Sequence, residues 1–189
     1  MDFNEIISNV KIYGLYESMV ASGYPMLINP YTSKDFCEQI DEIDSVDLIG
    51  ETTVENNNTK RAVNLASTNI GEGHDNFLNG VIIQFDLKFT VKAWTEAERY
   101  HFLDFVSSMS SMHRLTKMDY DKVFCSYVTE NTKNEMKRLL TEYNNNPCED
   151  TRLALLYNCP VGLQLTARMT TNYRQLKTCL LYTSPSPRD

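Results

Sequence analysis

The fold is decided by the stretch from Gly73 to Arg114, GHDNFLNGVIIQFDLKFTVKAWTEAERYHFLDFVSSMSSMHR, which holds all three histidines and the only tryptophan of the chain. Between Val81 and Phe89, large apolar residues recur at every second position, and Gln84, Asp86 and Lys88 fill places between them. A period of two is typical of a strand with one buried face. We therefore predict a strand from Val81 to Phe89, around which the rest of the chain is organised.

After Thr90 the spacing of the apolar residues becomes helical. Two adjoining stripes would lie on such a helix, one of Trp94, Ala97, His101 and Phe105 and one of Leu103, Val106 and Ser110. A helix that is apolar around most of its circumference must be mostly buried. The pattern therefore predicts a buried helix that carries Arg99 and His101, with Arg114 just beyond it.

Arginines in a buried helix need anionic partners, because an unpaired guanidinium there would cost several kcal/mol. One alternative is an internal ion pair with Glu96, Glu98 or Asp104. The other is a phosphate, which matches the planar, forked donors of arginine. In one unbroken helix, Arg99 and Arg114 would lie about 22 Å apart, too far to share a ligand. A shared site would require a bend in the serine-rich run at residues 107–111, where hydroxyls compete for backbone hydrogen bonds.

Length and composition indicate a globular protein. The chain has 189 residues, of which 42% are hydrophobic and 23% charged, enough for one domain with a real core. Its net charge of −7 argues against general nucleic-acid binding. No apolar run reaches the length of a membrane span, and the cysteines are too widely spaced for a zinc site or a disulfide framework. We expect no metal site, no membrane partner and a cytoplasmic location.

Smaller patterns predict further elements along the chain. In order, these are a strand at Val10–Tyr13, a helix at Leu15–Ala21, a helix capped by Thr32 or Ser33, a loop from Gly50 to Lys60, a helix from Lys60 to Ser67, a helix capped by Thr132 and Glu135, a helix capped by Asp150 or Thr151, a strand at Leu163–Met169 and a helix that opens at Asn172. This mixture predicts the α+β class, with a mixed sheet flanked by helices.

Arg174 lies in the first turn of the last predicted helix. A cation there opposes the helix dipole, and the free N–H groups of a helix start favour an anion. A bound phosphate would account for this position, and an exposed arginine is the equal alternative. The chain shows no phosphate-loop fingerprint, no GxSxG and no HExxH, so no catalytic nucleophile is predicted.

The order of these features resembles the flavin-dependent thymidylate synthases, especially divergent, phage-type members. That family has a Gly-His turn before a hydrophobic strand, then an Arg-His-Arg signature with a serine and an arginine downstream, and later an Asn-x-Arg element. The corresponding pieces here are Gly73-His74, Arg99-Tyr100-His101, Ser110, Arg114 and Asn172-Tyr173-Arg174.

The resemblance implies methylation of dUMP to dTMP, with methylenetetrahydrofolate as carbon donor and FAD relaying hydride from NADPH. It places the cofactor near four residues, which are His74, Arg99, His101 and Asn172. It places the dUMP-like nucleotide near Ser110, Arg114 and Arg174. It also implies a homo-oligomer, a tetramer with flavin sites between subunits.

The chain departs from the family pattern in three ways. Tyr100 and His101 stand in the second and third positions of the Arg-His-Arg signature, so one cofactor-contacting arginine is missing. The spacing from Arg99 to Arg114 is longer than the family's. The tail CLLYTSPSPRD, residues 179–189, looks like a translated sequencing adapter, so we expect a domain of residues 1–178 whose closing arginine and glutamine are missing. A non-catalytic nucleotide-binding protein, or a structural one that keeps the fold and pairs Arg99 with a carboxylate, therefore remains the alternative to an enzyme.

Overall fold

Four strands form one sheet in this computed structural model, which describes residues 3–44 and 56–182. The strands are β1 (Ile7–Tyr13), β2 (Ile82–Thr90), β3 (Asp104–Ser108) and β4 (Gln164–Asn172). They lie in the order β1-β2-β4-β3. Strand β3 runs antiparallel to β4, with Asp104 opposite Thr170 and a register shift between Phe105 and Ser107. The predicted α+β class is confirmed, but the sheet is antiparallel, so the mixed sheet expected from the sequence is wrong.

Helices occupy most of the remaining described chain. They are α1 (Phe3–Ile6), α2 (Leu15–Ala21), α3 (Ser33–Asp44), α4 (Asn57–Ala66), α5 (Val91–Ala97), α6 (Ser111–Arg114), α7 (Glu130–Asn145), α8 (Glu149–Tyr157) and α9 (Tyr173–Tyr182), with short 3-10 helices at Tyr24–Met26, Asn76–Gly80 and Leu115–Lys117.

The chain divides into two compact units. Unit 1 contains Met1–Val10 and Phe85–Thr170. Helices α7 and α8 pack together in it. Its core consists of buried apolar side chains from helices and loops, including the residue just before β4: Leu115, Tyr120, Phe124, Met136, Leu139, Leu155 and Leu163.

Unit 2 contains Lys11–Gln84 and Thr171–Asp189. Its core is formed by Met19, Val20, Ile43 and Ala62, from helices α2, α3 and α4. Helix α9 and helix α2 both pack against the 3-10 helix Asn76–Gly80. That close approach explains Gly14, where a Cβ would lie 2.6 Å from the carbonyl oxygen of Gly80.

The central strand is confirmed with nearly the predicted bounds. Val81, Ile83, Phe85 and Leu87 are buried, while the residues between them are half-buried. Strand Val10–Tyr13 is confirmed as part of a longer β1, and helix Leu15–Ala21 is confirmed residue for residue.

The long buried helix predicted after Thr90 is wrong. Helix α5 ends at Ala97, and Phe105 and Val106 lie instead on β3, a strand at the edge of the sheet with all five residues exposed. The aromatic, β-branched segment Phe105–Val106 fits a strand as well as a helix, and pairing with β4 decides between them. Arg99 and His101 are therefore exposed in the turn between α5 and β3 rather than buried in a helix.

Three helix starts differ from prediction. The cap of α7 is Thr129, whose hydroxyl accepts a hydrogen bond from the Thr132 N–H, rather than Thr132. Cys148 rather than Asp150 or Thr151 caps α8. Helix α4 begins at Asn57, capped by Asn56, so the predicted loop extends less far, and its first part lies outside the described residues. In each case the polar residue chosen from the sequence already lies inside the first turns of the helix.

Two other predicted helix starts are correct. The Thr32 hydroxyl accepts a hydrogen bond from the N–H of Asp35 in the first turn of α3. The Asn172 side chain accepts one from the N–H of Gln175 at 2.9 Å and caps α9. Helix α9 continues to Tyr182, past the predicted domain end at Thr178. The single-domain boundary and the adapter origin of the tail stay predictions.

Candidate functional site

A buried carboxylate lies between two cations in unit 2. Asp75, at the start of the 3-10 helix Asn76–Gly80, is 1% exposed. Its Oδ1 accepts a hydrogen bond from Nε of Arg174 at 3.1 Å, and its Oδ2 accepts one from Nζ of Lys177 at 2.8 Å. Nζ of Lys177 also donates to the Thr68 carbonyl oxygen at 2.7 Å. We call Asp75, Arg174 and Lys177 the Asp75 cluster.

The fold brings these residues together by two local features. Arg174 and Lys177 are three residues apart on α9, a spacing that places side chains on one face of a helix. The start of α9 is fixed by a hydrogen bond from the Tyr173 N–H to the Val81 carbonyl oxygen, 2.9 Å long, just after the 3-10 helix that follows Asp75. The helix face is thereby aligned with the buried carboxylate.

The electrostatics of the Asp75 cluster favour an ionised carboxylate. Burial by itself raises the pKa of the Asp75 carboxyl, but the hydrogen bond and charge of Lys177, with the charge of Arg174, outweigh burial and hold the pKa below its ordinary value. Two cations face one carboxylate, so the cluster carries one excess positive charge. Such a cluster suits an anionic ligand.

Arg174 keeps its terminal nitrogens available. Its contact with Asp75 uses Nε alone, and within the described part of the chain Nη1 and Nη2 donate to no protein atom. The Arg174 side chain is 32% exposed, and neither terminal nitrogen is among the described buried polar atoms that lack a partner, so both reach solvent. The guanidinium is held at one end and free at the other, a geometry that can bind two oxygens of one phosphate.

His74 and Asn172 border the same cluster in sequence. His74 is exposed in the turn before Asp75, a turn that Gly73 allows with a φ of +80°. Asn172 caps α9 through its side-chain oxygen. Unit 2 thus contains three of the predicted site residues, which are His74, Asn172 and Arg174.

The other predicted site residues lie in unit 1. Arg99 contacts Glu96 at 3.1 Å, and the two side chains are 77% and 48% exposed. The ion pair with Glu96 expected as one alternative is therefore present, but an exposed pair of this kind contributes little to stability and leaves the arginine free to bind another anion.

His101 lines a cavity of about 170 Å³ at the end of helix α5. Trp94 and Phe105 form its aromatic side, with ring centroids 5.1 Å apart, and Asp104 and Glu98 add carboxylates. The Trp94 indole N–H donates to the carbonyl oxygen of Leu165 at 3.3 Å, which fixes the ring against β4.

Ser110 precedes the short helix α6, and Arg114 is the last residue of that helix. The Ser110 hydroxyl accepts a hydrogen bond from the N–H of His113 and so caps the helix. Arg114 is exposed, and among residues 3–44 and 56–182 it forms no ion pair. Arg99 and Arg114 do not lie on one helix, because strand β3 separates them, so the helix bend that a shared site would have required does not apply.

Sequence reasoning missed Asp75 and Lys177. Asp75 follows His74 in a glycine-rich turn, and Lys177 shares a helix face with Arg174. The three-residue spacing of Arg174 and Lys177 is the signal that could have identified Lys177, and the place of Asp75 next to the predicted site residue His74 is the signal that could have identified Asp75. The sequence suggests a phosphate or an exposed position for Arg174, whereas the structure pairs it with a carboxylate 99 residues away in the chain.

Two negative findings concern the described residues. No group of three or more histidine, cysteine or acidic side chains among them is placed to hold a metal ion. No helix in the described ranges is both long and apolar enough to cross a bilayer.

Comparison with known proteins finds similarity in structure alone. No protein-family model matches the chain, and no curated protein matches it in sequence. Thymidylate Synthase X (ThyX) from Helicobacter pylori, solved with FAD and dUMP, matches with a TM-score of 0.57 and 14% identity over 97% of this chain and 84% of that one. This chain has a ThyX-like fold. A second structure of flavin-dependent ThyX from the same organism, complexed with FAD and dUMP, matches with a TM-score of 0.55 and 14% identity over 96% and 86% of the two chains. The resemblance inferred from the sequence is therefore confirmed at the level of the fold.

Proposed function

We propose that this protein methylates dUMP to dTMP, with methylenetetrahydrofolate, NADPH and FAD. The observation that carries the proposal is the fold, which is similar over 97% of the chain to an enzyme solved with FAD and dUMP. The chemistry of the exposed arginines and histidines described above supports it.

Arg174 is the residue we propose for the phosphate of dUMP. Its free terminal nitrogens and the excess positive charge of the Asp75 cluster favour a phosphate there. His74, exposed in the turn before Asp75, would contact the cofactor or the folate, and Asn172 would contact the cofactor while its oxygen caps α9.

Arg99 and His101 are proposed for the flavin, and Ser110 and Arg114 for the nucleotide. FAD carries a pyrophosphate and a flat ring system. Guanidinium and imidazole groups would bind the pyrophosphate, and an aromatic cavity such as that beside His101 suits the flat ring system. The donor chemistry of unit 1 therefore fits this cofactor.

The protein contributes positioning and charge to this reaction rather than a nucleophile. When bound, the flavin would supply hydride for reduction of the transferred carbon. The arginines would hold the nucleotide phosphate in place and compensate its charge, which lowers the barrier by orienting the reacting base. We also propose that the protein is a tetramer and belongs to a phage-type branch of the family. The arginine and glutamine that would complete the substrate site are proposed to lie beyond Thr178.

A second candidate is a nucleotide-binding protein without catalysis. Two observations favour it. His101 occupies a position where the family has an arginine, and Arg99 is paired with Glu96. Under this candidate, dUMP binds at Arg174 and no methylated product forms.

One assay separates these functions. The purified protein is incubated with FAD, NADPH, methylenetetrahydrofolate and dUMP, and products are followed by mass spectrometry, with bound flavin followed by absorbance. Formation of dTMP supports the synthase. Bound dUMP without product supports the second candidate. A folded protein that binds neither FAD nor dUMP contradicts both.

A further inference from the structure

The role of Asp75, a buried carboxylate, goes beyond neutralising the half-buried Arg174. In an ordinary internal pair, a carboxylate binds the terminal fork of arginine with both oxygens. Here Oδ2 is occupied by Lys177, and Oδ1 binds only Nε of Arg174. The fork that an anion would bind is left open.

Lys177 keeps the carboxylate in this orientation. Its ammonium group is anchored on the Thr68 carbonyl oxygen at 2.7 Å, and its side chain is 16% exposed. Asp75 is 1% exposed, so its carboxylate has no room to rotate toward solvent. The position of Arg174 is thus determined by a chain of three contacts, from Thr68 through Lys177 and Asp75.

We propose that Asp75 and Lys177 are positioning residues, which aim Nη1 and Nη2 of Arg174 at the phosphate group of a phosphomonoester. That the phosphomonoester is dUMP rests on the proposed function. The excess positive charge of the Asp75 cluster attracts the anion, and the fixed Nε contact reduces the entropy that Arg174 loses on binding.

The charge and positioning roles of Asp75 predict opposite effects. Replacing Asp75 with Asn removes a negative charge and leaves two cations, so a purely electrostatic role predicts tighter binding of an anion. A positioning role predicts weaker binding, because the amide no longer fixes both Arg174 and Lys177. The sign of the change therefore identifies the role.

The test compares dUMP, deoxyuridine and deoxyribose 5-phosphate by calorimetry on the full chain. For Asp75→Asn and Arg174→Ala we expect about tenfold to hundredfold weaker binding of both phosphate-containing probes, with the affinity for deoxyuridine unchanged within about twofold. Arg174→Lys keeps the charge and loses the fork, so it should weaken the same two probes if Asp75→Asn does not fold.

Asp86→Asn is the matched control. Asp86 binds Arg168 at 3.2 Å in unit 1, with side chains 24% and 25% exposed, and this variant should leave all three affinities unchanged. Unaltered phosphate affinity in folded Asp75→Asn or in Arg174→Lys would overturn the inference, as would a wild-type protein that binds no phosphate probe.

The outcome also separates this inference from the proposed function. Binding of deoxyribose 5-phosphate that depends on Asp75, in a protein that neither binds nor methylates dUMP, supports the inference and contradicts the function. Methylation of dUMP with phosphate affinity independent of Asp75 supports the function and overturns the inference.

Discussion

Asp75 and Arg174 lie 99 residues apart in the chain and are joined by a hydrogen bond of 3.1 Å between Oδ1 and Nε. The contact links the turn before the central strand to the helix that follows the last strand. Because it uses neither terminal nitrogen of the guanidinium, it provides stability and leaves a group for binding. We therefore expect a change at this one carboxylate to alter both the stability of unit 2 and the phosphate binding that we propose for Arg174.

The stability of the protein should fall in acid because of Asp75. Its folded-state pKa is lower than its ordinary value, so its contribution is complete above pH of about 4 and is lost as the pH falls through the folded-state pKa. Because Arg174 and Lys177 are partly exposed, loss of the carboxylate should cost no more than about 3–5 kcal/mol, the cost of breaking a fully buried pair. Urea unfolding of wild type and Asp75→Asn, measured from about pH 2.5 to about pH 7, covers the range in which carboxylates titrate. We expect the difference between the two stabilities to narrow as the pH falls. A constant difference across the range would be evidence against the assignment.

Cysteine reactivity should differ sharply between two positions of unit 1. The Thr151 hydroxyl lowers the pKa of the Cys148 thiol at the exposed start of α8, whereas burial raises the pKa of Cys159 to about 11. At pH 8, Cys148 should be alkylated at least about a hundredfold faster. Peptide mass spectrometry after brief iodoacetamide treatment measures the ratio. Comparable rates in the folded protein would mean that Cys159 is more accessible than the structure shows.

Leu155 on α8 should be critical for the core of unit 1, because its side chain is 0% exposed. Replacing it with Ala should reduce the free energy of unfolding by about 2–5 kcal/mol. Tyr157 lies two residues further on the same helix and is 85% exposed, so Tyr157→Ala should change stability by about 0.5 kcal/mol or less. Chemical denaturation of both variants checks the contrast, and equal losses would contradict the packing of α8.

Thr129 rather than Thr132 should be the more costly threonine to replace at the start of α7. The Thr129 hydroxyl accepts the Thr132 N–H, while the Thr132 hydroxyl contacts only the Thr129 hydroxyl, at 3.0 Å. Thr129→Ala should cost about 1 kcal/mol, and Thr132→Ala less. Thermal unfolding ranks the two variants. The reverse order would restore the cap position inferred from the sequence.

Periodicity predicts the elements with one well-defined buried face. Strand β2 and helices α2 and α7 are found near their predicted places because burial of alternate or helically spaced residues is a local property of the sequence. The segment from Arg99 to Val106 could not be assigned in this way. Its apolar residues fit either period, and its pairing partner, β4, lies about 60 residues further along the chain.

The residues of the candidate site also show that local sequence patterns do not predict long-range contacts. Arg174 can be recognised from the sequence, because a cation at a helix start is unusual on local grounds. Its partner Asp75 cannot, because a single aspartate in a turn gives no sign that it will be buried. Long-range ion pairs depend on how separate segments pack against each other, and the spacing of residues within one segment does not predict that packing.

The measurement that tests the central claim most directly is a titration of the FAD-incubated protein with dUMP, followed by flavin absorbance. A ThyX-like function predicts that the protein retains flavin and that dUMP changes the flavin spectrum in a saturable way, with the response weakened in Arg174→Ala. A folded protein that retains no flavin after incubation with FAD, and that gives no signal for dUMP, would contradict the account.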